Sequence, residues 1–510
     1  MKSDKKYSPF IFGFLILILF ILLSCNIPYP ETTWSTPTTM SSVNDLATQI
    51  YSPSQSITSE LSQPVQTPTK DLDHSIPLLR SQSTEYTIRK GDTLKSIARH
   101  FLVDLLSLKK INQIEESDTL LVGEILTIPP SLASSVAPNN KVIPDSELVL
   151  SPSSINLESD PFSISNNSFL LSYSQEVGGE ILNGMEIVTR ISRNFSVNPR
   201  LLLAILEHKG NWISESELTE EKINYPITSR IEWRKGLYLQ LGWTADTLNN
   251  GYYLWKVNAL PGFLTDDGKV IQASTEINAG TAGIQYLFSI LDNQAQWHKD
   301  ISQVGFMKTY QSIFGSAFQY SLDPLVPIDL NQPPMQLPFQ DNISWSFTGG
   351  PHGGWGSGSA WAALDFAPPS DAAGCVPNDA WITAVSDGLI IESGNGRVVQ
   401  DLDGDGFVQT GWTVLYLHVA NKHRIENGVY VNSGDPIGHP SCEGGVSSGT
   451  HVHVARRYNG EWIPADGDLP FNLDGWLSEG YSVEYNGALR KGDKIVEAWG
   501  TKNEFNQIQR

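Results

Sequence analysis

Basic side chains are scarce in this chain: 34 lysines and arginines face 55 aspartates and glutamates over 510 residues, a formal net charge of −21. Nucleic-acid binding relies on basic contacts to phosphate, so this balance disfavours it, along with simple electrostatic retention on an anionic polymer. Long apolar runs are lacking too. The stretch from Phe10 to Leu23 falls short of the roughly 18 residues expected of a membrane span, and with Lys2, Lys5 and Lys6 before it the segment reads as an export signal. Only three cysteines occur, Cys25, Cys375 and Cys442. In an oxidising exterior, Cys375 and Cys442 are candidates for one disulfide, and a metal site has harder ligands to draw on.

Those ligands lie in the C-terminal third, as His352, Asp365, His418 and the triplet His451-Val452-His453. Side chains at i and i+2 of a strand share a face, so His451 and His453 can point into one cleft. A hydrolytic zinc site uses three protein ligands and leaves a position for water, whose pKa falls toward about 7. Further histidines can pass protons or steady an oxyanion. This set of groups suits peptide-bond hydrolysis.

The residues around these histidines carry a resemblance. Gly449-Thr450-His451-Val452-His453-Val454, with Val431-Asn432-Ser433-Gly434-Asp435-Pro436-Ile437-Gly438 and Tyr416-Leu417-His418 before it, resembles the lysostaphin-like zinc endopeptidases that cut peptide cross-links of bacterial cell walls. The resemblance runs from near Pro338 to near Asp474. It implies zinc ligation by His352, Asp365 and His453, with His451 as base and His418 as transition-state stabiliser. That family usually spaces its first two ligands His-x-x-x-Asp, whereas here Gly353 to Leu364 stand between them. The insert is rich in glycine, which tolerates positive φ, so it can loop out and return both ligands to one ion.

Leu22-Leu23-Ser24-Cys25 resembles a lipobox, which implies cleavage before Cys25, lipidation of its thiol and a lipid-anchored, extracytoplasmic protein facing the cell wall. A Ser/Thr/Pro/Gln-rich tether follows, too poor in apolar residues to offset its ordering entropy. Tyr86-Thr87-Ile88-Arg89-Lys90-Gly91-Asp92-Thr93-Leu94 opens a strand–helix–helix–strand unit, its first helix capped by Asp92 or Thr93, that ends at Pro129. The unit resembles a LysM module, which implies binding to N-acetylglucosamine-containing glycans such as peptidoglycan.

Asn198 to Glu207 has helical apolar spacing, with Pro199 in the first turn, and resembles the catalytic helix of lysozyme-like lytic enzymes. Lys209 stands where their acid belongs, and an ammonium cannot replace a protonated carboxyl as donor to a glycosidic oxygen. A non-catalytic, wall-binding or spacer role follows. Trp212, Trp233, Trp243 and Trp255 are open to two readings, sugar stacking or core packing. Asp401, Asp403 and Asp405 copy the first half of a calcium loop, but Trp412 stands where an EF-hand places its glutamate; a solvated hairpin tip and a weak Ca2+ site both remain open.

The expected chain is multidomain α+β: signal 1–25, tether 26–85, LysM module 86–130, linker 131–167, a mostly α-helical lysozyme-like domain 168–335, an antiparallel β zinc-peptidase domain 336–475 and an extension 476–510. The expected function is Zn2+-dependent hydrolysis of peptidoglycan cross-links. The alternatives are a non-catalytic wall lipoprotein that activates another hydrolase and a glycan-cleaving enzyme acting through the helical domain.

Overall fold

The computed structural model describes residues 74–89, 92–115, 120–157, 167–228, 231–370 and 372–510. The export signal, Cys25 and most of the tether lie outside them. Among the described residues no helix is long and apolar enough to cross a membrane.

The first unit runs β1 (Thr84–Thr87), α1 (Leu94–Phe101), α2 (Leu105–Ile111) and β2 (Ile125–Ile128), with β1 and β2 antiparallel. Thr93 caps α1, its hydroxyl accepting from Ser96 N while Ser96 Oγ accepts from Thr93 N. Asp92 is spent elsewhere, accepting from Arg89 N and Tyr86 OH. Leu264 and Val270 of the following domain complete this unit's core, and Lys95 pairs with Asp266.

The helical domain is built on α3 (Gly184–Phe195), α4 (Pro199–Gly210), α5 (Leu237–Lys256) and α6 (Ala279–Leu291). Leu201 to Leu206 of α4 are all fully buried, as expected of a helix that is apolar all round. The segment 131–167, expected as linker, belongs largely to this domain. Val142, Ile143, Leu148 and Val149 are in its core, Glu147 is buried against Arg200, and Ser135–Val136 pairs in parallel with Val270–Gln272. Its serine- and asparagine-rich composition masks the few apolar residues that do the packing.

The C-terminal domain is centred on a nine-stranded sheet. Its strands are β3 (Trp345–His352), β4 (Ala363–Ala367), β5 (Gly388–Gly394), β6 (Arg397–Asp401), β7 (Trp412–Leu417), β8 (Tyr430–Val431), β9 (Val452–Tyr458), β10 (Glu461–Trp462) and, last in the chain, β15 (Gln507–Ile508). Their order is β8-β5-β6-β7-β9-β4-β3-β15, with β10 added to β9, and all neighbours are antiparallel. Alternation along the strands makes two faces. Leu364, Phe366, Val398, Val414, Tyr416, Val452 and Val454 enter the domain's own core, while Ala363, Val399, Leu415 and Ala455 join the core of the helical domain.

Residues 476–510, expected as an extension beyond this domain, are part of it. Strands β11 (Asn472–Leu473), β12 (Trp476–Gly480), β13 (Gly487–Lys491) and β14 (Lys494–Glu497) form a second sheet, and β15 (Gln507–Ile508) pairs with the start of β3. Ile508 and Leu489 are buried in the core, apolar positions that lie past the end of the motif-bearing stretch.

Candidate metal centre

The site is assembled by strand register. On β9, His453 lies opposite Asp365 of β4 on one side and Leu417 of β7 on the other. It shares a face with Ala455, as Asp365 does with Ala363, so both stand on the face that the helical domain covers farther along. Two irregularities in the β3–β4 register, between Phe347 and His352, turn the end of β3 and bring His352 opposite Ala363. Gly349 makes room there, because a Cβ would stand 2.7 Å from Asp365 Oδ2.

His352, Asp365 and His453 are buried, and one ligand atom from each lies within 4.8 Å of the others. Asp365 Oδ1 is 3.2 Å from His352 Nε2 and 3.3 Å from His453 Nδ1, and those two nitrogens are 3.0 Å apart. The outer nitrogens are already engaged: His352 Nδ1 lies 2.8 Å from the Gly350 carbonyl and His453 Nε2 3.1 Å from that of Gly354. A carbonyl can only accept, so in the neutral rings the outer nitrogens carry the protons and the inner ones present lone pairs. Two lone pairs thus face each other beside Asp365 Oδ1, a buried atom without a hydrogen bond. Three acceptors converging without a donor repel one another until a cation joins them, and two imidazoles with one carboxylate are a zinc-type ligand set. Burial would raise the Asp365 carboxyl, but protonation of His352 and His451 places cations beside it that reverse this and hold it well below the usual carboxylate range.

His451 and His418 flank this cluster with ring centroids 4.4 Å apart. His451 Nδ1 is 2.8 Å from the Gly449 carbonyl, and its Nε2 is 3.6 Å from Asp365 Oδ1. His418 follows the last residue of β7 with φ +64°, a left-handed conformation uncommon for a side-chain-bearing residue and a form of strain that clusters at functional sites. Its Nδ1 is 2.8 Å from the Glu443 carbonyl. Burial, followed by His451 and His453, pushes its pKa down to about 3.

Cys375 and Cys442 form a disulfide with an S–S distance of 2.09 Å. Thr450, beside His451, bonds to the carbonyls of Gly374 and Val376 at 3.1 and 2.6 Å, so the disulfide-bearing loop braces the entry to the triplet. Asp401, Asp403 and Asp405 also come together, in the β6–β7 connection. There Asp401 accepts from the amides of Asp403, Gly404 and Gly406, as a turn-forming residue does.

Two residues at the site carry no motif. Tyr485 stacks on His352 at 4.3 Å with 19° between ring planes, and Glu484 Oε1 accepts from Gly353 N at 3.2 Å. Burial, then Asp365 and Glu484, pushes the Tyr485 hydroxyl up to about 12.

In the helical domain, Glu207 Oε2 accepts from the amides of Ile213 and Ser214 at 2.8 and 3.1 Å, and Lys209 lies between Asp292 and Asp300 at 2.9 and 2.6 Å. Trp212 and Trp255 are core residues, Trp243 is half-buried and Trp233 is exposed.

Residues 86–129 match the family described as LysM domain, and residues 141–327 match that described as LasA, N-terminal domain. Protease LasA of Pseudomonas aeruginosa is 23% identical over 306 residues, covering 55% of this chain and 68% of that protein. Among solved structures, the M23 metalloprotease pseudoalterin from the deep sea is 23% identical, covering 36% of this chain and 99% of the other, with a TM-score of 0.29. The catalytic domain of the antimicrobial peptidase lysostaphin from Staphylococcus simulans is also 23% identical, covering 24% of this chain and 90% of the other, with a TM-score of 0.18. The chain is thus similar to the LysM family over residues 86–129, to the LasA N-terminal domain family over residues 141–327 and, at 23% identity, to Protease LasA.

Proposed function

We propose that this chain is a zinc-dependent endopeptidase of bacterial peptidoglycan whose metal is held by His352, Asp365 and His453. One observation carries the reading: two imidazole lone pairs and a carboxylate oxygen without a hydrogen bond converge in a buried site, while the outer nitrogen of each imidazole rests on a backbone carbonyl. Bound there, zinc supplies a Lewis acid for the scissile carbonyl and acidifies water.

The chain's other groups manage protons. His451 and His418 each rest Nδ1 on a carbonyl, which leaves a bare Nε2 on both rings. His451 takes the proton of the attacking water at Nε2. His418, neutral under the combined effect of burial and its histidine neighbours, donates to an oxyanion only once it has itself gained a proton. Tyr485 holds the His352 ring by stacking.

The LysM module binds the glycan and so raises the effective concentration of wall peptide at the site. Lipidation of Cys25 would hold the protein at the outer face of the membrane; Cys25→Ser should move it out of the membrane fraction while leaving peptidoglycan binding intact. The engagement of Glu207 and Lys209 disfavours glycan cleavage by the helical domain.

The deciding experiment is digestion of purified peptidoglycan by the full chain, with bound zinc measured alongside. New peptide termini that vanish on chelation and return with zinc are expected. New anhydro-sugar ends, or no product from a protein loaded with one zinc, would defeat the proposal.

A further inference from the structure

The insert between the first two proposed ligands is gripped by the helical domain. Asp246 lies in the middle of α5, where aspartate is a poor helix former, and its carboxylate turns to the insert. Its Oδ2 accepts from Ser357 Oγ at 2.6 Å and its Oδ1 from Gly358 N at 2.8 Å. The approach is too close for a side chain at two positions of the loop: a Cβ on Gly358 would lie 1.9 Å from the Asp246 backbone oxygen, and Gly356, at φ +70°, would place one 2.3 Å from Asp246 Oδ1.

From there the constraint passes to the ligands. Trp355 meets the ring of Phe195 edge-on at 6.4 Å, Trp355 N donates to Ser359 Oγ at 3.0 Å, and Gly354 N donates to the Ala360 carbonyl at 3.0 Å. Gly354 also packs on Trp462, which donates from its backbone to Tyr253 OH and from Nε1 to the Phe195 carbonyl, both in the helical domain. The carbonyl of Gly354 is the group that receives His453 Nε2.

We propose that Asp246 is a positioning residue of the metal centre: it clamps Ser357 and Gly358 so that the Gly354 carbonyl holds His453 with Nδ1 turned toward the metal. The helical domain is then part of the catalytic apparatus rather than a spacer. The inference rests on the reading of His352, Asp365 and His453 as metal ligands. Partners that orient a ligating histidine typically change metal affinity by about 10- to 100-fold.

The test uses the full chain, with Zn2+ affinity measured by chelator competition and the visible spectrum recorded after Co2+ substitution. Asp246→Ala should weaken zinc binding by about 10- to 100-fold and change the Co2+ bands. Asp246→Asn, which keeps an acceptor for Gly358 N, should recover most of both. Ser357→Ala removes one of the two bonds without touching the helix and should fall between, which covers the case in which Asp246→Ala does not fold. Glu392→Gln, at a domain-joining pair with Arg193, should leave affinity and spectrum unchanged. Wild-type affinity and spectrum in Asp246→Ala, or in Ser357→Ala if the first variant does not fold, would overturn the inference; so would an equal loss in Glu392→Gln, since any loosening of the interface would then suffice. A wild-type chain that binds no zinc would instead defeat the metal reading on which the inference stands.

Discussion

The helical domain and the C-terminal domain each bury a cluster of titratable side chains, and they treat it in opposite ways. In the helical domain Glu147 meets Arg200 and Tyr310 OH, while Lys209 sits between Asp292 and Asp300 with His208 on the second aspartate. Each charge finds its opposite inside the protein, as burial demands. In the C-terminal domain Asp365 and two imidazole lone pairs converge with no donor among them, and the donors that could have closed the set point outward to Gly350 and Gly354. Burial alone therefore does not mark function. A closed cluster serves stability, whereas the open one is the cluster that the proposed function assigns to a metal.

That contrast is open to attack at several strengths. The largest effect should come from His453→Ala or Asp365→Ala, which remove a proposed ligand: zinc content should fall to background, and peptidoglycan digestion with it. Metal retained by either variant would mean that the open cluster is not the ion's site. In the closed cluster, Lys209→Met should cost about 3–5 kcal/mol by leaving buried carboxylates without their cation. Denaturant unfolding measures that loss, and the folded variant should keep wild-type zinc content and wall digestion. His418→Ala comes next, with activity down about 10²- to 10³-fold, the range for removing a transition-state stabiliser, at unchanged zinc stoichiometry; released zinc would make His418 a ligand instead. Glu207→Gln should cost about 1 kcal/mol at most, since its bonds go to two backbone amides, and leave the digestion products as they were.

The smallest effect concerns a third cluster, of one sign only. Burial, then Asp401 and Asp405, raises Asp403 to about 7. A carboxyl whose folded pKa lies above its unfolded value contributes stability that is full below the unfolded pKa and lost as pH rises through the folded one. Wild-type Tm should therefore decline between about pH 4 and pH 7 by an increment that Asp403→Asn removes. Parallel Tm–pH curves for the two proteins would show that Asp403 is not perturbed.

Much of this architecture is legible along the chain because its signals are local. The Tyr86 to Leu94 motif predicts the first strand and helix of the β1–α1–α2–β2 unit, and the His-x-His pattern puts His451 and His453 on one strand face. Other features have no local signal. Val142 to Leu150 hide in a polar stretch, and nothing between Trp476 and Arg510 announces that Tyr485 will lie on His352. Asp246 reads as an unremarkable helix residue until the loop more than a hundred positions away is seated on it.

The sequence alone determined the chemistry on offer: His352, Asp365, His418, His451 and His453 in the C-terminal third, and a glycine-rich insert between the first two of them. Their meeting depended on strand pairing, which sets His453 opposite Asp365, on two register shifts in β3, and on a neighbouring domain that seats the insert. The physical reason is one of range. Residue type and periodicity act over a few positions, whereas the proposed metal site needs atoms from residues 352, 365 and 453 within a few ångströms, and only the packing of whole strands and domains brings them there.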